Sequence, residues 1–210
     1  MLEAAAAGAL AGYAIAIPVG AIAVLIIQTG LSHGLRAGLA AASGAATADL
    51  VYAPIAALTG LWLTSLLGPV LVPLRVLGGV VLIGFGVRGL YALRSARESL
   101  EPQTAHEQGR RPHRRTYLAV LALTLLNPAT VIYFTALTVG LPFLGGPAER
   151  LVFAAAAGVA SLSWQVLLAL FGAALGRSSG HTVRRVTAAL GNGVIVIMGA
   201  LIALGPFVEG

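Results

Sequence analysis

The chain has 210 residues, of which 58% are hydrophobic and 10% charged, and a formal net charge of +6; its mean hydropathy is +0.93. A soluble domain carries about 25% charged residues, so too few solvated side chains remain here to cover a water-facing surface, and the surroundings must be mostly lipid. With no cysteine in the chain, disulfides, thiolate metal sites and thiol redox chemistry are excluded.

Six apolar stretches follow one another, at roughly 4–29, 37–64, 69–93, 117–141, 150–175 and 186–207. Each suits a membrane-spanning helix, which needs about 20 residues. Glu3 opens the first where a secretory signal would place a basic region, so the stretch reads as a span and not as a cleaved leader. It contains Ile17-Pro18-Val19-Gly20 and ends at Ser32-His33-Gly34-Leu35-Arg36. The second carries Asp49 and is expected to end at Gly68-Pro69. After the third comes a long polar segment, Arg94 to Arg115, with Glu98, Glu101 and Glu107 among its arginines. The fourth contains Asn127-Pro128-Ala129-Thr130 and closes in a glycine- and proline-rich turn, residues 140–147. The fifth holds Trp164 and Gln165, and residues 177–185 separate it from the sixth.

Every Lys+Arg residue in the count of 13 is an arginine. Their placement follows the positive-inside rule if the 94–115 loop is cytoplasmic. Arg36, the loop arginines, Arg177, Arg184 and Arg185 are then inside, whereas Arg75 and Arg150 face out. Arg88 lies one turn from the inner end of the third span, where it can snorkel. Both termini are then outside. The basic charge is explained by topology, and no nucleic-acid partner is expected.

Three spans in each half is an odd number, so two halves of one fold must have opposite orientations. Gly44-Ala45-Ala46-Thr47-Ala48-Asp49 parallels Gly158-Val159-Ala160-Ser161-Leu162-Ser163, and the glycine-rich runs at 77–84 and 190–199 resemble each other. The expected architecture is an all-α membrane protein of six transmembrane helices, arranged as two inverted three-helix repeats. Residues 1–93 form the first repeat, 94–116 the basic cytoplasmic loop and 117–210 the second repeat.

Proline removes an N–H and clashes with the preceding turn. In a bilayer such a break survives only where the freed backbone groups are buried in protein or line a cavity. Paired breaks in corresponding spans point to a transporter's binding site. Pro18 with Gly20, and Asn127 with Pro128, are therefore candidate site residues. The second break is expected to leave unpaired carbonyls near Leu123 and Thr124. Asp49 is the carboxylate well inside an apolar stretch. A charge there costs at least about 2.5 kcal/mol on insertion scales and usually faces a cavity or a partner. It reads either as a proton-titrating or cation-binding group or as a structural carboxylate paired with Arg75, Arg88 or a neighbouring helix. Tyr52 shares its helix face at i+3, while Thr47 points elsewhere. Thr130 and Tyr133 share a face after the second proline, and Trp164 sits deeper than an interfacial aromatic should. Gln28, near the inner end of its span, is expected at the interface. Gly8-xxx-Gly12 and Gly172-xxx-Gly176 have small-xxx-small spacing, which is compatible with a homodimer. The four histidines all fall in polar connections, and no metal-ligand cluster, P-loop, zinc-protease or serine-hydrolase motif is present. The chain does not read as an enzyme and implies no cofactor.

These residues resemble the LysE superfamily of bacterial exporters, which includes the LysE and RhtB amino-acid exporters. The resemblance is carried by Pro18-Val19-Gly20, by the loop segment from Gln28-Thr29-Gly30 to Arg36-Ala37-Gly38-Leu39, by Gly44 through Asp49-Leu50, and by Leu126-Asn127-Pro128. It covers nearly the whole chain with the motifs in order. The family often has Pro-Gly-Pro at the first motif and Asn-Pro-Lys at the second. Here they read Pro18-Val19-Gly20-Ala21 and Asn127-Pro128-Ala129, and the missing lysine removes a charge beside the site. The resemblance implies a six-span bundle in the bacterial inner membrane. It would export amino acids or related small metabolites, driven by the proton gradient or the membrane potential. Its partners would be a small-molecule substrate, protons and lipid. Export of metal ions or other small solutes, or a non-transporting scaffold role, are the alternatives.

Overall fold

The computed structural model describes residues 1–17, 20–59, 61–98, 113–127, 130, 133, 146–178 and 180–208. Among these, seven helices occur in chain order: α1 (Leu2–Ala16), α2 (Ala21–His33), α3 (Leu35–Thr59), α4 (Leu61–Glu98), α5 (His113–Leu125), α6 (Pro147–Ser178) and α7 (His181–Val208). Helices are what an apolar solvent demands, because each backbone N–H and C=O must be paired within its own segment. Four helical stretches are long and apolar enough to cross a bilayer: Leu35–Leu58, Val76–Arg94, Pro147–Arg177 and Arg185–Leu204. A fifth arises if α1 and α2 together form one broken span. The expected fourth span, 117–141, is described only as far as Asn127 and at Thr130 and Tyr133.

The break expected in the first span is present, and the boundary expected at Gly68-Pro69 is not. The first apolar stretch is two helices bent by 77° at a break of four residues or fewer. The expected stop at Gly68-Pro69 is absent: α4 runs through it from Leu61 to Glu98, and α3 likewise passes through Pro54. A single lost ladder bond is tolerated where neighbouring groups re-satisfy the backbone. The turn from α2 to α3 falls at Gly34, whose φ of +81° is open to glycine and strained for most other residues.

The interior is built from small residues. Ala41, Ala42, Ala45, Ala48, Ala53, Ala157 and Ala169 are fully buried, whereas Leu10, Leu151, Val159, Leu167, Leu190 and Leu201 lie more than half exposed on the outside. Lipid tails are as apolar as leucine, so nothing drives leucine inward, and small side chains let helices approach closely. A Cβ on Gly8 would lie 2.2 Å from the Phe153 carbonyl oxygen, and one on Gly12 2.2 Å from that of Ala157. Farther along, a Cβ on Gly172 would lie 2.2 Å from the Ile27 carbonyl oxygen, and one on Gly176 2.5 Å from that of Leu31. Both small-xxx-small pairs are thus used inside the chain, to seat α1 and α2 on α6.

These contacts set the helix directions. α1 and α2 each run in the same sense as α6: α1 meets residues 153–157 of that helix and α2 meets residues 169–176. Helix α6 is continuous across both contact stretches. α3 runs antiparallel to α6, joined at Asp49–Ser161 and Ala57–Arg150. α5 runs parallel to α3, with Gly44 against Tyr117 and Tyr52 bonded to Leu125. α4 packs antiparallel on α7 through Gly79–Gly199 and Gly86–Asn192.

Candidate functional site

Asp49 is brought to its place by the alanine-rich first half of α3, whose Ala45, Ala46 and Ala48 leave room for α6 to come close. Its carboxylate is 3% exposed, and its Oδ2 accepts a hydrogen bond of 2.5 Å from the Ser161 hydroxyl. Ser161 is itself 1% exposed. Among the described residues the group on Asp49 is thus a hydroxyl from the facing helix. Arg88 is exposed. The two segments whose sequences run parallel, 44–49 and 158–163, are the ones that meet here: beside the Asp49–Ser161 bond, Leu50 lies against Gly158.

On α6 the stripe facing α1 and α2 passes through Phe153, Ala157, Ala169, Gly172 and Gly176. Ser161 and Gln165 continue the same i, i+4 ridge. Ser161 and Gln165 lie on α6 between the stretch that meets α1 and the stretch that meets α2. The Asp49–Ser161 bond therefore sits on the part of α6 between its α1 and α2 contacts. α1 ends in carbonyls, and the Ala14 carbonyl has lost its i+4 partner because Pro18 has no N–H. Gly20 is extended and provides no side-chain cap to α2. The N–H groups of that helix's first turn have no intrahelical acceptor, and they carry partial positive charge. An acid, a hydroxyl, an amide and two helix ends are groups able to bind a small charged or zwitterionic solute, and the acid can carry a proton.

The sequence model of the LysE type translocator family matches residues 13–205, from Tyr13 near the end of α1 to the last turn of α7. The chain belongs to the LysE type translocator family. A relative is the chemotactic transduction protein ChpE of Pseudomonas aeruginosa, 33% identical over 162 residues, which covers 75% of this chain and 76% of that protein. No solved structure matches the chain. Family membership makes this a multi-pass membrane protein of a translocator family, not of an enzyme family.

The other candidate residues of this translocator are placed as follows. Pro18 and Pro128 lie outside the described residues. At the second break, α5 ends in a tight turn. The Leu126 N–H bonds to Ala122 at 2.9 Å and the Asn127 N–H to Thr124 at 3.1 Å. The expected free carbonyl at Thr124 is thus occupied: Pro128 has no N–H to offer it, and Asn127 takes its place. The next carbonyl, Leu125, accepts from the Tyr52 hydroxyl. The Tyr52 ring packs against the cluster of Ala53, Ala56, Ala154 and Ala157, on the α6 side that Asp49 also faces, and its hydroxyl reaches across to α5. Thr47 is on the α5 side and accepts from Tyr117 Oη at 3.1 Å. Thr130 is buried, with its N–H on the Asn127 carbonyl at 3.3 Å, whereas Tyr133 is 56% exposed. Trp164 packs against the core cluster of Ala23, Ile26 and Val120.

Gln28 is a correction to the interfacial expectation. It is buried, and its Nε2 donates to the Ala188 carbonyl of α7 at 3.1 Å, because α2 turns that face to a third helix instead of to the membrane surface. Ser161 and Gln165 were not singled out as site residues by their sequence. Both are ordinary polar interruptions of an apolar run until the α3–α6 and α2–α6 pairings are known.

Proposed function

We propose that this translocator exports amino acids or related small metabolites across the bacterial inner membrane, driven by the proton gradient or the membrane potential. The observation that carries the reading is the buried Asp49–Ser161 pair, on the part of α6 between its contacts with the two halves of the broken first span. A carboxyl group held away from water in the bundle interior can couple proton movement to the binding of a solute. Moving one charge through the membrane potential is worth about 2.3 kcal/mol per 100 mV.

The cycle would rock two inverted three-helix halves, 1–93 and 117–210, against each other. The packing pattern supports this division. The first helices of each half lie on the second helix of the other, the two second helices lie on each other, and so do the two third helices. A two-fold axis in the membrane plane produces that pattern. The arginine distribution supports a cytoplasmic 94–115 loop with both termini outside.

The testing experiment is efflux of labelled L-amino acids from energised cells or inverted vesicles, with and without a protonophore. Release of one solute against its gradient, lost on adding the protonophore, is the expected result. No flux of any of them by folded protein overturns the reading. A second reading is favoured by the relative's name: a membrane component of chemotactic signalling. It expects altered motility on deletion of the protein with no change in the efflux of any solute.

A further inference from the structure

Two buried polar atoms have no hydrogen-bond partner among the described residues, and they belong to adjacent residues: Trp164 Nε1 and Gln165 Oε1. Gln165 is 6% exposed. Buried polar side chains are nearly always paired, and an exception calls for a reason. These two atoms are not scattered. Gln165 lies on α6 between the stretches that meet α1 and α2, and Trp164 packs against the cluster that includes Ala23 and Ile26 of α2. An apolar residue at either position would satisfy the packing without stranding anything.

We propose that Gln165 and Trp164 form a ligand subsite on α6 between its contacts with α1 and α2, with Gln165 Oε1 accepting from the ammonium and Trp164 Nε1 donating to the carboxylate of an amino-acid zwitterion. The inference rests on the exporter reading and names the groups that would recognise its solute. The chemistry narrows the occupant. An indole N–H is a donor only, and it can neither ligate a metal ion nor accept a proton. An amide oxygen requires a donor. A metal cation or a hydrocarbon satisfies at most one of the two atoms; a solute with both a donor and an acceptor satisfies both. Charge agrees with this. The Asp49 carboxylate, on Ser161 one turn before Gln165, favours a cation on that side, and the uncapped start of α2 favours an anion.

The chain has two tryptophans, so Trp62→Phe leaves Trp164 as the sole indole. The difference between wild type and Trp164→Phe isolates the same signal should that variant not fold. The full-length protein in detergent is titrated with each common L-amino acid, and with the N-acetyl and methyl-ester form of any that binds. At least one amino acid is expected to shift Trp164 emission, and each blocked form to bind about tenfold weaker or worse, the loss of one hydrogen bond's worth of affinity. Gln165→Leu is expected to weaken binding by a similar factor while raising the melting temperature of the empty protein, since it removes a stranded polar atom. Unchanged affinity in Gln165→Leu, a lowered melting temperature of its empty form, or no amino acid bound by the wild type overturns the subsite. Protonophore-sensitive export that persists in Gln165→Leu at unchanged apparent affinity also overturns it and leaves the exporter reading standing. Absence of any such export by the wild type overturns the exporter reading.

Discussion

Replacing Asp49 by asparagine separates mechanism from structure. The side chain keeps its shape, and the carboxamide oxygen can still accept from Ser161 Oγ, now at 2.5 Å from the carboxylate. The exchange turns a hydrogen bond to a charged group, worth about 1.5–3 kcal/mol, into a neutral one of about 1 kcal/mol. Against that loss of roughly 1 kcal/mol stands relief from holding a charge inside the bilayer, at least about 2.5 kcal/mol on insertion scales. Asp49→Asn is therefore expected to be as stable as the wild type or more so. Its amide carries no proton, and gradient-driven efflux should fall by at least about tenfold, equivalent to 1.4 kcal/mol or more of lost coupling. The assay is protonophore-sensitive efflux from energised vesicles, normalised to folded protein by size-exclusion profile and melting temperature. Asp49→Asn exporting at the wild-type rate with the same protonophore sensitivity would refute the reasoning and leave Asp49 as a packing residue. Asp49→Ala is the poorer test: it strands the Ser161 hydroxyl at about 1–3 kcal/mol, and any loss of flux would be confounded by unfolding.

Gly12→Ala should destabilise the protein by about 1–3 kcal/mol, because its Cβ would lie 2.2 Å from the Ala157 carbonyl oxygen and 2.9 Å from the carbonyl carbon; a wild-type melting temperature would contradict the α1–α6 register. Gly84→Ala is the matched control, with nothing within 4 Å of its Cβ, and should be neutral or stabilising by about 0.5–1 kcal/mol. Pro18→Ala restores a backbone N–H and removes a ring clash, favouring a continuous helix by about 3 kcal/mol. It should melt no lower than the wild type yet lose export, and unimpaired flux would show that the break is not needed. Tyr52→Phe removes the hydroxyl donor to the Leu125 carbonyl and should cost about 1 kcal/mol, seen as a lower melting temperature with α3 and α5 otherwise in place.

Much of the bundle was legible without coordinates because bilayer thickness imposes a length on apolar runs. The runs containing Asp49, Gly84, Trp164 and Asn192 all appear as helices long and apolar enough to span. Prolines were read less well. A proline announces a lost ladder bond, but whether the helix parts depends on what its neighbours offer. The first span is split around Pro18, whereas Pro54 and Pro69 ride within unbroken helices. The glycine pairs were legible as close-packing devices; that their partner is α6 of the same chain was not, because spacing along one helix says nothing of what lies opposite.

The site divides along the same line. A lone carboxylate in an alanine-rich apolar run marks Asp49 from sequence alone, since the cost of burying a charge is local. Its partner Ser161, 112 residues away, and the unpaired atoms of Trp164 and Gln165 become visible only when α6 is laid along α1, α2 and α3. Composition and periodicity determined that this chain lives in a membrane and roughly where it crosses. Only the tertiary structure decided which polar groups find one another there, because hydrogen bonding across helices depends on register and direction, and neither is written in any one helix.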